Sequence, residues 1–251
     1  MRLEIIFSML IPFFGTILGA SAVFFFKKNI QPTLYKILIG FASGVMVAAS
    51  IWSLIIPALE ESSCLGRLSF IPTLIGFIIG IIFLLLIDKL LKNKTKYNTK
   101  NTSMLMLAVT LHNIPEGMAV GVVLAEVYYG NSLMTIASAL ALCIGIAIQN
   151  IPEGAIISTP LITQNKTKKK SFLYGIFSGI VEPISAIITF WISAIIKNIL
   201  PYILSLAAAA MLYVVVEELI PESQREDNTS ISTISFSIGF LIMMCLDVAL
   251  G

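Results

Sequence analysis

Long apolar runs dominate the chain, separated by short polar stretches. Eight runs, at approximately 5 to 26, 33 to 57, 70 to 91, 103 to 125, 132 to 160, 171 to 196, 200 to 221 and 231 to 250, each reach the roughly 20 residues needed to cross about 30 Å of hydrocarbon. The runs are continuous rather than alternating, and backbone groups in lipid must be paired within the structure, so they predict helices and not barrel strands. The first run has features of a secretory signal: Arg2, an apolar stretch, then Gly19, Ala20, Ser21 and Ala22. The stretch continues through Phe24, Phe25 and Phe26 before Lys27 and Lys28, so it is read as a retained first helix. The connecting segments are too short to fold alone, which makes 1–251 a single transmembrane domain.

Composition agrees with the pattern. Hydrophobic residues make up 57% of the chain, charged residues only 12%, and mean hydropathy is +0.96, well beyond what a soluble domain needs. The expected class is an all-α integral membrane protein with eight transmembrane helices, multi-pass in a cell membrane of the bacterial inner or plasma type. Net charge is only +2, with the basic residues in short clusters, so no nucleic-acid partner is expected. Cys64, Cys143 and Cys245 are scattered and form neither a disulfide framework nor a thiolate metal site. Of the 16 Lys and Arg, all but Arg2, Arg67 and Lys197 fall in the odd-numbered loops, from Lys27, Lys28 and Lys36 through Lys89 to Lys100 and Lys166 to Lys170, then Arg225. The positive-inside rule then places odd loops in the cytoplasm and both termini outside.

Two of the runs carry nearly the same polar interruption. His-Asn-Ile-Pro-Glu-Gly stands at 112 to 117 and Gln-Asn-Ile-Pro-Glu-Gly at 149 to 154. The fourth and fifth helices run in opposite directions, so the copies are antiparallel and lie at similar depth, as an inverted repeat with its site near the midplane requires. Residues four apart share a helix face, pairing His112 with Glu116 and Gln149 with Glu153, with Asn113 and Asn150 beside them. Pro115 and Pro152 leave the carbonyls of Leu111 and Ile148 without their helical donors, and Gly117 and Gly154 permit close helix approach. A third carboxylate, Glu182, precedes Pro183 in the sixth run. Ionisable groups in a bilayer cost about 2.5–3.5 kcal/mol each and mark function. With no Lys or Arg at this depth in these helices, a divalent metal is the expected counter-ion. One imidazole with carboxylate and amide oxygens suits Zn²⁺ and admits Mn²⁺, Fe²⁺ or Cd²⁺, while the absence of thiolates disfavours Cu⁺. Binding to such a site is linked to proton release.

These paired motifs, with the Glu-Pro of the sixth helix, resemble the signature of the ZIP family of divalent metal transporters, most closely its GufA-like branch. The resemblance spans the whole chain and implies a mid-membrane binuclear centre. His112, Glu116, Gln149 and Glu153 would hold one metal, and Asn113, Glu116, Asn150, Glu153 and Glu182 the other, with Glu116 and Glu153 bridging. Met46, in the second helix, matches a position able to lend a thioether to the first site. Two departures matter: many members have histidine where Gln149 stands, and many carry a histidine-rich loop after the third helix, which is absent here.

The expected activity is passage of divalent metal toward the cytoplasm by alternating access, with the metal as substrate and no prosthetic group. There is no Walker-type phosphate loop, and one histidine in the chain argues against an intramembrane metalloenzyme, so no enzyme is expected. A selective cation channel shares the acidic midplane and stays open as an alternative. The expected partners are metal ions and the lipid bilayer; a homodimer is allowed, since sequence does not give the oligomeric state. Glu60 and Glu61 at the outer end of the second helix and Asp88, Glu217, Glu218 and Glu222 near cytoplasmic ends are read first as ordinary helix-end charges, second as route residues, while Asp247 lies deeper in the eighth helix and is assigned no partner.

Overall fold

The computed structural model describes residues 3–25, 31–94, 102–129, 135–163, 166–195, 199–224 and 229–250; the side chains of 90–94, 102–112, 156, 160, 163, 194–195, 229 and 250 lie outside that description. All regular structure among the described residues is helical. Eight long helical stretches are α1 (Leu3–Ala20, extended by a tight turn Ser21–Phe24), α2 (Pro32–Ala49, continuing to Glu61), α3 (Phe70–Lys94), α4 (Thr102–Tyr129), α5 (Ile136–Ser158), α6 (Lys168–Gly179, then Val181–Ile195), α7 (Leu200–Val214, continuing to Ser223) and α8 (Thr229–Leu250). They match the eight predicted runs to within a few residues at most ends. Seven of the stretches are long and apolar enough to span a membrane; α4, whose first eleven side chains lie outside the description, is not among them. Lys27, Lys28, Lys96, Lys100 and Arg225, which bear on the predicted orientation, lie outside the described residues. Lys36 belongs to α2 rather than to a loop, because Pro32 starts the helix four residues earlier, and it is buried.

Packing is pairwise. α1 lies along α5, α4 along α6, α2 along α8 and α3 along α7. Exchanging 1 with 6, 2 with 7, 3 with 8 and 4 with 5 maps this set of pairs onto itself, the pattern an inverted repeat produces. The correspondence extends to local geometry in α2 and α7. Each widens into a π turn, Ser50–Ile55 and Val215–Leu219, just before an Ile-Pro pair. In each the isoleucine N–H reaches five residues back, Ile56 to the Ile51 carbonyl and Ile220 to the Val215 carbonyl. Proline has no N–H and crowds the carbonyl four residues before it, and the wider turn accommodates both problems within one continuous helix.

Glycines bring the paired helices to backbone contact. Gly15 and Gly19 of α1 sit on the carbonyls of Ala147 and Ile151 in α5, and Gly154 of α5 sits on the Thr16 carbonyl of α1. Gly117 of α4 sits likewise on the Glu182 carbonyl of α6. α6 is interrupted at Ile180, where Pro183 removes the donor that the Gly179 carbonyl would otherwise receive. The second segment therefore starts at Val181 and places Glu182 in its first turn, where the helix dipole favours a carboxylate.

The exterior is the apolar surface. Leu74, Ile78, Ile82 and Leu86 on α3, Ile184, Ile188 and Trp191 on α6, and Ile234, Ile238 and Leu241 on α8 are all exposed, while Asn113, Glu116, Gln149, Asn150, Glu153 and Glu182 are buried. This inversion suits a protein whose solvent is lipid. Replacing Gly117 by alanine would drive a methyl into the Glu182 carbonyl and the Ser185 hydroxyl. The expected cost is about 1–3 kcal/mol, seen as a lower thermal unfolding midpoint of the detergent-solubilised protein. An unchanged midpoint would show that α4 and α6 are not packed this closely.

Candidate metal centre

Four helices meet at the polar cluster. α4 contributes Asn113 and Glu116, α5 contributes Gln149, Asn150 and Glu153, α6 contributes Glu182, and α1 contributes Thr16 and the Pro12 carbonyl. Glu116, Gln149 and Asn150 have no solvent exposure, and Asn113, Glu153 and Glu182 are 1%, 6% and 1% exposed. α4 and α5 run helically through Pro115 and Pro152, which keeps the repeated motifs in register on facing helices.

Gln149 ties the two motif glutamates together. Its Nε2 donates to Glu116 Oε1 and to Glu153 Oε1, both at 2.7 Å, so one nitrogen has a carboxylate from each helix within hydrogen-bonding reach. The Asn150 Oδ1 lies 3.1 Å from the same nitrogen. Glu182 is held from three sides. Its Oε1 accepts from Asn113 Nδ2 and Thr16 Oγ1, each at 2.9 Å, and its Oε2 accepts from Asn150 Nδ2 at 2.8 Å. The second N–H of each asparagine goes to a backbone oxygen, Ser178 for Asn113 at 3.1 Å and Pro12 for Asn150 at 3.3 Å.

With the amide N–H groups engaged, oxygen atoms are left over. Glu116 Oε2, Gln149 Oε1 and Asn113 Oδ1 are buried and have no hydrogen-bond partner among the described residues. A buried oxygen without a donor carries a desolvation cost of about 1–3 kcal/mol, more when charged. The donors supplied to Glu116 and Glu182 are amides and one hydroxyl, which leave the carboxylate charge formally unneutralised. Chemically, such a set of hard oxygen donors is able to receive a cation.

Of the eight residues expected to ligate metal, six stand in this network. Met46 is fully buried in the apolar core of α2, and none of the cluster's hydrogen bonds involves it. His112 lies in α4 one turn before Glu116, with its side chain outside the described residues. Among the described residues, which leave out the His112 side chain, no three His, Cys, Asp or Glu side chains converge as a metal-holding group. Asn113 and Asn150, expected beside the motif glutamates and grouped with Glu182 by the family resemblance, both donate to Glu182 across helices. The first residue that sequence reasoning missed is Thr16. The spacing of Gly15 and Gly19 around it, a small-residue face in an apolar helix, was the available signal for a tight interface with Thr16 beside it.

None of the hydrogen bonds described for this cluster involves the other acidic residues named from the sequence. Asp247 is buried and accepts from Ser53 Oγ at 2.7 Å. Asp88 accepts from Tyr213 Oη at 3.4 Å, and Glu222 from Tyr35 Oη at 3.3 Å. Glu60 and Glu217 are exposed, while Glu61 and Glu218 are half-buried.

An apolar exterior around helices that close on a buried carboxylate cluster defines a multi-pass membrane protein built about an internal polar site. A family model described as "ZIP Zinc transporter" matches residues 102–247. Relatives along nearly the whole chain include "Zinc transporter ZIP11" of Homo sapiens, 31% identical over 94% of this chain and 94% of that protein. "Zinc transporter ZIPB" of Bordetella bronchiseptica is 31% identical over 95% of this chain and 79% of its own length. "Zinc transporter GufA" of Myxococcus xanthus is 30% identical over 85% and 86%. The chain belongs to the ZIP family, whose matched members are named as transporters and not as enzymes.

Losing the donor shared by Glu116 and Glu153 should be felt in the fold. Gln149→Leu is expected to destabilise the detergent-solubilised protein by about 1–3 kcal/mol, because two buried carboxylates lose a partner at once. A thermal midpoint equal to that of the unmodified protein would show that the bridge contributes nothing.

Proposed function

We propose that the protein carries divalent metal, with Zn²⁺ the foremost substrate and Cd²⁺, Fe²⁺ or Mn²⁺ also admitted, across the membrane toward the cytoplasm. The observation that carries this reading is the set of buried oxygens without hydrogen-bond partners among the described residues, Glu116 Oε2, Gln149 Oε1 and Asn113 Oδ1, in a carboxylate cluster that four helices enclose. The names of the relatives support zinc in particular. In this reading α4 is a transmembrane helix like the other seven, and both termini face outside. His112, Glu116, Gln149 and Glu153, with Met46 as an accessory thioether, hold one metal. Asn113, Glu116, Asn150, Glu153 and Glu182 hold a second, and the two motif glutamates bridge.

The chemistry follows from competition between donors. A cation arriving between Glu116 and Glu153 competes with the Gln149 N–H groups for the same carboxylate oxygens. Rotation of that amide by half a turn offers Oε1 instead, which turns the bridge between carboxylates into a ligand. A membrane potential of 100 mV, inside negative, favours inward movement of a dication by about 4.6 kcal/mol, which needs no nucleotide. Movement of packed helix pairs past one another gives alternating access, so flux should saturate with metal concentration.

Liposomes containing the purified protein should therefore take up Zn²⁺ saturably, and Glu116→Ala or Glu153→Ala should abolish uptake without loss of a folded, monodisperse protein. Uptake that persists in both variants would remove the site, and flux that never saturates would favour a channel. In the same assay Gln149→His exchanges an amide for an imidazole and is expected to change the preference among Zn²⁺, Mn²⁺ and Cd²⁺ by about tenfold, the effect of roughly 1.4 kcal/mol. Identical preference would place Gln149 outside the coordination shell.

A further inference from the structure

We infer that Thr16 of α1 is a positioning residue for the metal site, holding Glu182 in its ligating orientation while the asparagines beside it turn to meet the metal. This rests on the proposed role of Glu182 as a ligand. Glu182 receives donors from Thr16, Asn113 and Asn150. Asn113 and Asn150 are proposed ligands themselves, and an amide ligates a cation through its oxygen. As each rotates to do so, its N–H leaves Glu182. The Thr16 hydroxyl has no such second duty, and it is the donor that stays.

The geometry of α1 is fitted to this task. A helical threonine hydroxyl ordinarily bonds the carbonyl four residues earlier, which for Thr16 is Pro12. Here the Pro12 carbonyl accepts from Asn150 at 3.3 Å, and the Thr16 hydroxyl crosses to Glu182 Oε1 at 2.9 Å. The threonine is 1% exposed, and its side chain fills the space left by Gly179, where a methyl would overlap Thr16 Cγ2 and Oγ1. Branching at Cβ restricts the rotamer, so packing of the methyl group fixes the aim of the hydroxyl. With Oε1 held by α1, Oε2 is the oxygen presented to the metal once Asn150 turns away.

The test is zinc uptake by reconstituted liposomes, with variants that keep or remove the hydroxyl. Thr16→Val keeps the shape and loses the donor; its KM for Zn²⁺ should rise about tenfold while the saturating rate stays within about twofold, the effect expected for one hydrogen bond to a charged group. Thr16→Ser should return KM to within about twofold of the unmodified protein. If Thr16→Val does not fold, Thr16→Ala carries the same expectation. An unchanged KM on removal of the hydroxyl, or a Thr16→Ser variant as impaired as Thr16→Val, overturns the inference. Glu116→Ala separates the two levels: its failure to transport, beside an unaltered Thr16→Val, leaves the metal site standing and sinks Thr16 alone. Persistent uptake by Glu116→Ala sinks both.

Discussion

Three carboxylates buried between helices set the terms for everything else in this protein. Each costs about 2.5–3.5 kcal/mol at membrane depth, and the helices are shaped to meet that cost. Glycines let α4 approach α6 and α1 approach α5 at backbone contact, so short polar side chains can reach across. Proline interrupts α6 and sets Glu182 at a helix start. The amides of Gln149, Asn113 and Asn150 then spread donors over the carboxylates without bringing in a fixed positive charge that would exclude a metal.

In the proposed role, neutral donors are what make the cluster reversible. A lysine or arginine here would satisfy the carboxylates for good, whereas an amide can surrender an N–H bond and offer an oxygen in the same position. The hydroxyl of Thr16 is inferred to differ in kind, since it stays on Glu182 while the amides turn. In this view the division of labour is between residues that exchange with the metal and a helix, α1, that does not.

Much of this was legible in the sequence. Eight apolar runs gave the helices, because span length is a strong constraint in a bilayer. The repeated Asn-Ile-Pro-Glu-Gly, placed on antiparallel neighbours, brought Glu116, Gln149 and Glu153 together on spacing alone, and the Glu-Pro pair added Glu182. What could not be read was contact between distant helices. Periodicity alone put Asn113 and Asn150 beside the motif glutamates; their grouping with Glu182, to which both donate, came only from the family resemblance. Thr16 was invisible for the same reason: its hydrogen-bond partner lies 166 residues away. The matched π turns of α2 and α7 had a signal, the two Ile-Pro pairs, but proline alone does not distinguish a kink from a widened turn.

The central claim, that oxygens of α4, α5 and α6 receive the metal, is tested most directly by X-ray absorption at the zinc edge on the zinc-loaded protein. The account predicts a first shell of oxygen and nitrogen at about 2.0–2.2 Å, with sulfur limited to one thioether, and loss of bound zinc when Glu116 and Glu153 are both replaced by alanine. Zinc retained by that double variant with an unchanged shell would contradict it.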